Sequence, residues 1–214
     1  MIEINEHTES AKEIETENQH TLLCQKIKGE LFSLMECLQY FNPALGKKLV
    51  LIGKINARLG NLLKIEDEEF YLAGYYANFS LLSMQNLAFK SEFLSKEEFE
   101  IYKRHTILSS DFLKEKGLLR ASEFCLYHHE NPDASGYFSK QNYPKESSLI
   151  NIADNFENYI SLNPYRPKYT LNEALEKTLS IFSNELVLTK LEVFDIREEL
   201  IRIYNEGKWK NTYR

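Results

Sequence analysis

From residue 22 to residue 38 the apolar positions Leu22, Leu23, Ile27, Leu31, Leu34 and Leu38 advance mostly by threes and fours, the spacing of one face of an α-helix. An Asn42-Pro43 break follows, because a residue before proline is pushed out of helical conformation, and a second helix is predicted over 45–63. The stretch 66–87, with "FYLAGYYANFSLLSM" at its heart, is apolar almost all round and reads as one central helix buried on several sides. Ser95 and Glu98 form an S-x-x-E capping box, opening a helix that carries Ile101, His105, Leu108 and Phe112 on one side. A short helix from Ala121 should end near His128 and His129, since "ENPDASGY" is turn chemistry. Residues 146–160 form the next helix, with Ile150, Ala153 and Phe156 or Glu157 at helical spacing. Thr170 and Glu173 make a second capping box before Ala174, Leu175, Thr178, Leu179 and Phe182. "LTKLEVFDIREELIRIYNEG" offers an amphipathic closing helix, and a basic end with Trp209 is read as frayed. No strand-period run competes, so the fold is expected to be all-α, a bundle of about seven to eight helices.

Composition changes this picture only at the ends. A chain of 214 residues is long enough to bury a core without disulfide or metal staples. The net charge of −6 is concentrated in the first twenty residues, where six Glu face one Lys, leaving the remaining 194 near −1. Residues 1–20 therefore read as an acidic flexible segment, with the polar start of a helix as the alternative, and 21–214 as a single domain. This is not the charge balance of a protein that binds nucleic-acid duplexes. Cys24, Cys37 and Cys125 form no CxxC pair, and no run approaches the roughly eighteen apolar residues of a membrane span. A cytoplasmic protein without membrane contact is expected.

Four polar residues interrupt apolar helix faces: His105, His128, His129 and Asp154. They lie on three successive predicted helices, which are usually spatial neighbours. Imidazole nitrogen with carboxylate oxygen suits iron, manganese or zinc. The alternative is a buried polar cluster whose members satisfy one another by hydrogen bonds. Cys125 beside the histidines reads as a small core residue before it reads as a soft ligand.

The order of these pieces resembles the HD-GYP family, metal-dependent phosphodiesterases that hydrolyse cyclic di-GMP. "YKRHTILSSDFL" is similar to "RxHPxxGxxIL", with His105 at the ligand histidine but Thr106 and Ser109 at its proline and glycine. "YHHENPDASGYF" is similar to "HHExxDGxGYP", with His128 and His129 at the paired ligands, and departs at Ala134 and Phe138. "LINIADNFENYIS" places Asp154 at the ligand aspartate, and "NPYRPKYTLNEAL" resembles "RPYRPxxSxEEAL". The name-giving "LLHDIGK" is different here: "YYANFSLL" puts Ala77, Asn78 and Leu81 at its histidine, aspartate and lysine. An upstream histidine is also replaced, with Lys47 or Lys48 nearest.

In that family the aspartate of the pair bridges two metals, and a metal-bound water attacks phosphorus. The resemblance therefore implies that Asn78, a neutral amide, cannot hold two dications together, because their repulsion would be poorly compensated. No catalytic residue is assigned at Ala77, Asn78 or Leu81. Either no metal or one divalent ion is expected, held by His105, His128, His129 and Asp154. Arg166, Tyr137 and Lys103 are candidates for contacting a phosphate-bearing ligand. The greasier Phe79, Leu81 and Leu82 should partly fill the cleft. The implied function is a degenerate, catalytically inactive module that binds a protein partner or a cyclic dinucleotide in signalling. The alternative is a residual phosphodiesterase with an incomplete metal site, which a remote carboxylate such as Glu36 or Glu69 would complete.

Overall fold

Helix starts in this chain are set by side chains that accept the amide hydrogens a helix leaves unpaired. In the computed structural model, which describes residues 3–162, 166–184 and 186–206, Asn42 accepts from the Leu45 amide to open α2 (Pro43–Leu62), with Pro43 in the first turn. Asp67 accepts from Glu69 to open α3 (Glu68–Tyr76). Both capping boxes expected from sequence are formed: Ser95 with Glu98 starts α5 (Lys96–Glu115), and Thr170 with Glu173 starts α8 (Leu171–Leu179). A third, Thr189 with Glu192, starts α9 (Lys190–Asn205). The remaining elements are α1 (Glu3–Phe41), a four-residue turn α4 (Gln85–Ala88), α6 (Leu119–Leu126) and α7 (Lys145–Ile160). Eight helices of eight or more residues thus make the all-α bundle that the periodicity predicts.

Helix α2 is the axis of the bundle, and α1, α3, α7 and α9 all pack on it. Leu45, Leu49, Ile52, Ile55 and Leu59 are essentially inaccessible to solvent along its length. The approach of α3 to α2 requires glycine: a Cβ on Gly74 would lie 2.4 Å from the Asn56 side-chain nitrogen, and one on Gly60 would lie 2.5 Å from the Phe70 ring. On the opposite side α5 packs on α6, and α6 on α7. Arg58 on α2 reaches Glu199 and Glu206, tying the closing helix to the axis.

Two expectations are corrected. The stretch 66–87 is not one helix: α3 stops at Tyr76 and the chain continues as a 3-10 segment, Phe79–Met84. The cause is a competing set of hydrogen bonds. Ser80 donates its hydroxyl to the His105 carbonyl at 2.7 Å and its amide to the Ser109 hydroxyl at 3.3 Å, binding the segment to α5. The acidic segment follows its alternative form, since α1 begins at Glu3 and residues 16–20 are exposed helix. Trp209 and Tyr165 lie outside the described residues. Among the described residues no helix is long and apolar enough to cross a membrane.

Phe156 on α7 is fully buried within the core that α2, α7 and α8 share. Phe156→Ala should lower unfolding stability by roughly 3–5 kcal/mol, through lost transfer energy and the cavity left behind. Urea unfolding of the two proteins measures this from their midpoints at unchanged slope.

Candidate metal centre and cleft

Three of the four sequence-predicted ligands, the histidines, cluster, and the fourth, Asp154, lies beside His129. His105 projects from the middle of α5, Asp154 from α7, and His128 and His129 from the turn after α6. The paired histidines are thus just past a helix, whose last turn closes at Tyr127, and not on one. One coordinating atom from each of His105, His128 and His129 lies within 4.8 Å of the others.

Backbone carbonyls settle the tautomers of two of these rings. His105 donates Nδ1–H to the Tyr102 carbonyl at 2.8 Å, and His128 donates Nδ1–H to the Cys125 carbonyl at 2.6 Å. When the rings are neutral, each Nε2 carries a lone pair, and the two Nε2 atoms face each other at 3.4 Å. Burial lowers His105 to about 3, with the neighbouring His128 ring adding to the shift, which favours the neutral form. Burial likewise lowers His128, and it lowers His129 well below the ordinary imidazole range with help from His128, His105 and Lys48. Two buried acceptors without a hydrogen between them repel. Two nitrogens bound to one tetrahedral ion at about 2.0–2.1 Å sit about 3.3–3.4 Å apart, which is the spacing found here. The Asn78 amide oxygen, on a side chain only 1% exposed, also lacks a hydrogen-bond partner. Neutral imidazoles converging beside a carboxylate fit a divalent ion of the iron, manganese or zinc type.

Asp154 divides its two oxygens between different neighbours. Oδ1 accepts from Lys48 Nζ at 3.0 Å and from Asn78 Nδ2 at 3.2 Å, while Oδ2 lies 3.6 Å from His129 Nε2. Lys48 Nζ also donates to Glu157 at 2.8 Å, and Glu157 in turn accepts from Ser161 at 2.7 Å. Burial alone would raise the Asp154 carboxyl, but the Lys48 ammonium and the nearby histidines hold it below its usual range. Burial alone would lower Lys48, and the Asp154 and Glu157 carboxylates instead push it well above the ordinary lysine range. Lys48 is therefore a permanent cation. The sequence left Lys47 and Lys48 as equal candidates, and the structure selects Lys48. Its signal was present: it interrupts the buried row Leu45, Leu49, Ile52, where a lysine needs a carboxylate partner.

The turn that carries the histidines is held by Glu130, which sequence reading passed over. Its fully buried carboxylate accepts the Phe138 amide at 2.8 Å and the Lys140 amide at 2.7 Å. Gly136 sits against this turn: a Cβ there would lie 2.5 Å from both the Glu130 Cα and the His129 carbonyl oxygen. That contact is with backbone and has nowhere to go. Asp133 accepts from the Ser135 amide and hydroxyl, closing the loop tip. Ala134, where the resembling motif has glycine, adopts φ +61°, a conformation costly for an L side chain. Tyr137 stacks on His129 with ring centres 4.5 Å apart.

Beside the centre lies a cleft of about 920 Å³. Lys48, Asp154, Glu157 and His129 form part of its floor, Phe89, Phe93, Phe99, Tyr102 and Tyr137 its aromatic walls, and Asn151, Asn155 and Asn158 an amide row along α7. Leu81 lines it without closing it, while Phe79 packs on Tyr76 and Phe112. Of the three candidate ligand contacts, Tyr137 lines the cleft while Lys103 and Arg166 do not. Lys103 pairs with Glu100 at 2.8 Å and lies over the Phe99 ring. Arg166 donates to the Asn158 carbonyl at 2.7 Å and lies over the rings of Tyr159 and Tyr169. Glu36 is exposed, and Glu69 accepts the Ala121 amide at 2.8 Å and faces His20 at 3.2 Å, outside the cluster of His105, His128 and His129. Cys125 is a buried core thiol, raised by burial, with its sulfur on the Ala73 carbonyl.

An all-helical bundle thus brings histidines from α5 and the α6 turn beside an aspartate of α7. The chain belongs to the HD domain family, whose model matches residues 33–180. It is 30% identical over 133 residues to a cyclic di-GMP phosphodiesterase of Thermotoga maritima, covering 58% of this chain and 35% of that protein. Over 88 residues it is 28% identical to the cyclic di-GMP phosphodiesterase response regulator RpfG of Xanthomonas campestris pv. campestris, covering 38% of this chain and 23% of the relative. The chain thus spans about a third or less of the length of these relatives. The fold is shared with the HD domain of L. monocytogenes phosphodiesterase PgpH in complex with cyclic-di-AMP, at a TM-score of 0.61, 15% identity, and coverage of 82% and 97% of the two chains.

Because Ala134 is held at positive φ, Ala134→Gly should raise stability by roughly 0.5–1 kcal/mol, the relief of left-handed strain less the entropy glycine adds to the unfolded chain. Gly136→Ala should do the reverse, at about 2 kcal/mol or more, by displacing the turn. Thermal unfolding of the two variants beside the parent checks both signs.

Proposed function

We propose that this chain is an HD domain that binds its ligand without hydrolysing a phosphodiester, acting as a regulatory or interaction module in signalling. The observation that carries this reading is the environment of Asp154 Oδ1, which receives the Lys48 ammonium at 3.0 Å and the neutral Asn78 amide at 3.2 Å. Two-metal hydrolysis needs a negative bridge to hold both ions, one to lower the pKa of the attacking water and both to stabilise the in-line transition state. At the positions that resemble the His-Asp pair this chain has Ala77, a buried methyl, and Asn78, a neutral amide. What remains fits one ion: His105, His128 and His129, with Asp154 Oδ2 beside them. A bound ion would supply Lewis acidity and positive charge there. The cleft needs that charge for a phosphate-bearing ligand, since its lysine is committed to two carboxylates.

The relatives' names make cyclic dinucleotides the first ligands to try, with bases on the aromatic walls of Phe99, Tyr102 and Tyr137. A bacterial cytosol is the setting this reading takes, and a single domain over 21–214 its unit. The second reading, a residual one-ion phosphodiesterase, draws support from the three neutral imidazoles, which are ready to bind metal.

Calorimetry with cyclic di-GMP and cyclic di-AMP, on manganese-loaded protein, is expected to show binding that weakens about tenfold or more after chelation, with no linear dinucleotide formed. The tenfold figure corresponds to the loss of about one charge-assisted contact. Turnover that disappears in the His128→Ala, His129→Ala double variant would establish the residual hydrolase instead. If neither dinucleotide binds, the module acts through a protein partner.

A further inference from the structure

We propose that Lys48 is a built-in cation that takes the place of a second metal ion, fixing this centre at one divalent ion per chain. The proposal rests on the reading above that the two-metal machinery is absent, and it assigns the vacancy to a specific side chain.

Three observations converge on it. Lys48 Nζ lies 3.0 Å from Asp154 Oδ1 and 2.8 Å from Glu157 Oε2, so one positive charge is shared between two carboxylates that would otherwise repel each other. Both carboxylates belong to nearly buried residues, Asp154 at 7% and Glu157 at 1% exposure, where an uncompensated negative charge is costly. The other Asp154 oxygen lies 3.6 Å from His129 Nε2, and His129 clusters with His105 and His128, whose Nε2 atoms face each other at 3.4 Å. The Asn78 amide nitrogen also donates to Oδ1, and its amide oxygen is buried and unpartnered, an acceptor left for a cation. The centre is thus divided along the carboxylate of Asp154. One oxygen is served by an ammonium that cannot leave, and the other is open to an ion.

This division has a consequence that ligand loss alone does not predict. Restoring ligand atoms at positions 77 and 78 would not create a second metal site while Lys48 remains, because an ammonium and a dication cannot both occupy the Oδ1 side of Asp154. Lys48 is a positioning residue, acting through Asp154, and its effect is on stoichiometry.

Apo protein, the Ala77→His, Asn78→Asp double variant, and the triple variant that adds Lys48→His would be loaded with manganese, dialysed, and assayed for ions per folded chain by elemental analysis and native mass spectrometry. The expected counts are one for the parent, one for the double variant and two for the triple. A parent count of zero or two overturns the proposal, and that arm requires no variant to fold. A double variant that already holds two ions overturns it as well, by showing that Lys48 does not block the place. So does a folded triple variant that holds only one. Circular dichroism melts with and without manganese identify the folded variants. Failure here is separable from failure of the functional reading: turnover of a cyclic dinucleotide by the parent would refute inactivity without changing any of these counts.

Discussion

The interaction on which the centre depends is the ammonium of Lys48 held between Asp154 and Glu157. It joins α2, the axis of the bundle, to α7, and it does so where both carboxylates are withdrawn from water. A buried ion pair of this kind contributes little when compared with a well-packed apolar replacement, but removing one partner costs roughly 3–5 kcal/mol because the other charge is left alone. Here two charges would be left, so the site depends on the lysine, or on another cation in its place, to balance them. The same contact decides the chemistry. It aims one oxygen of Asp154 away from the histidines and leaves the other beside them, turning a carboxylate suited to bridging into one with two separate tasks.

Around that pair the scaffold is arranged to hold imidazoles in fixed tautomers. Carbonyls of Tyr102 and Cys125 take the Nδ1 hydrogens of His105 and His128, and burial keeps the rings neutral. Such outer contacts orient metal-binding histidines and raise their basicity as ligands. Glu130 and Gly136 do the corresponding work for the turn: one collects two loop amides, and the other lets the backbone pass close to His129. The cleft then offers aromatic walls and an amide row beside a floor with one lysine and two carboxylates. Under the proposed function the aromatic walls would take bases, and a bound ion would supply the charge that phosphate needs.

Much of this was legible in the sequence, and what was not has a physical reason. Helix starts were legible because capping is local: Ser95 with Glu98 and Thr170 with Glu173 need only three residues of context. The clustering of His105, His128 and His129, with Asp154 3.6 Å from His129, was legible because polar residues on apolar faces demand partners. The break of the central segment after Tyr76 was not, since Ser80 finds its partners, His105 and Ser109, more than twenty residues away. Lys48 was seen as a substituted position and not as a participant, because its carboxylates lie over a hundred residues further along the chain. Arg166 was a phosphate candidate through its guanidinium chemistry, with capping of a helix end as the alternative, and the guanidinium is on the Asn158 carbonyl in the last turn of α7 and over two tyrosine rings.

The measurement that tests this account most directly is a crystal structure of the protein loaded with manganese, with anomalous scattering used to locate the metal. The account predicts one anomalous peak, at His105, His128 and His129 beside Asp154 Oδ2, with Lys48 still bound to Oδ1. Two peaks with Lys48 displaced from Asp154 would contradict it, and so would a fully loaded crystal with no peak at the histidines.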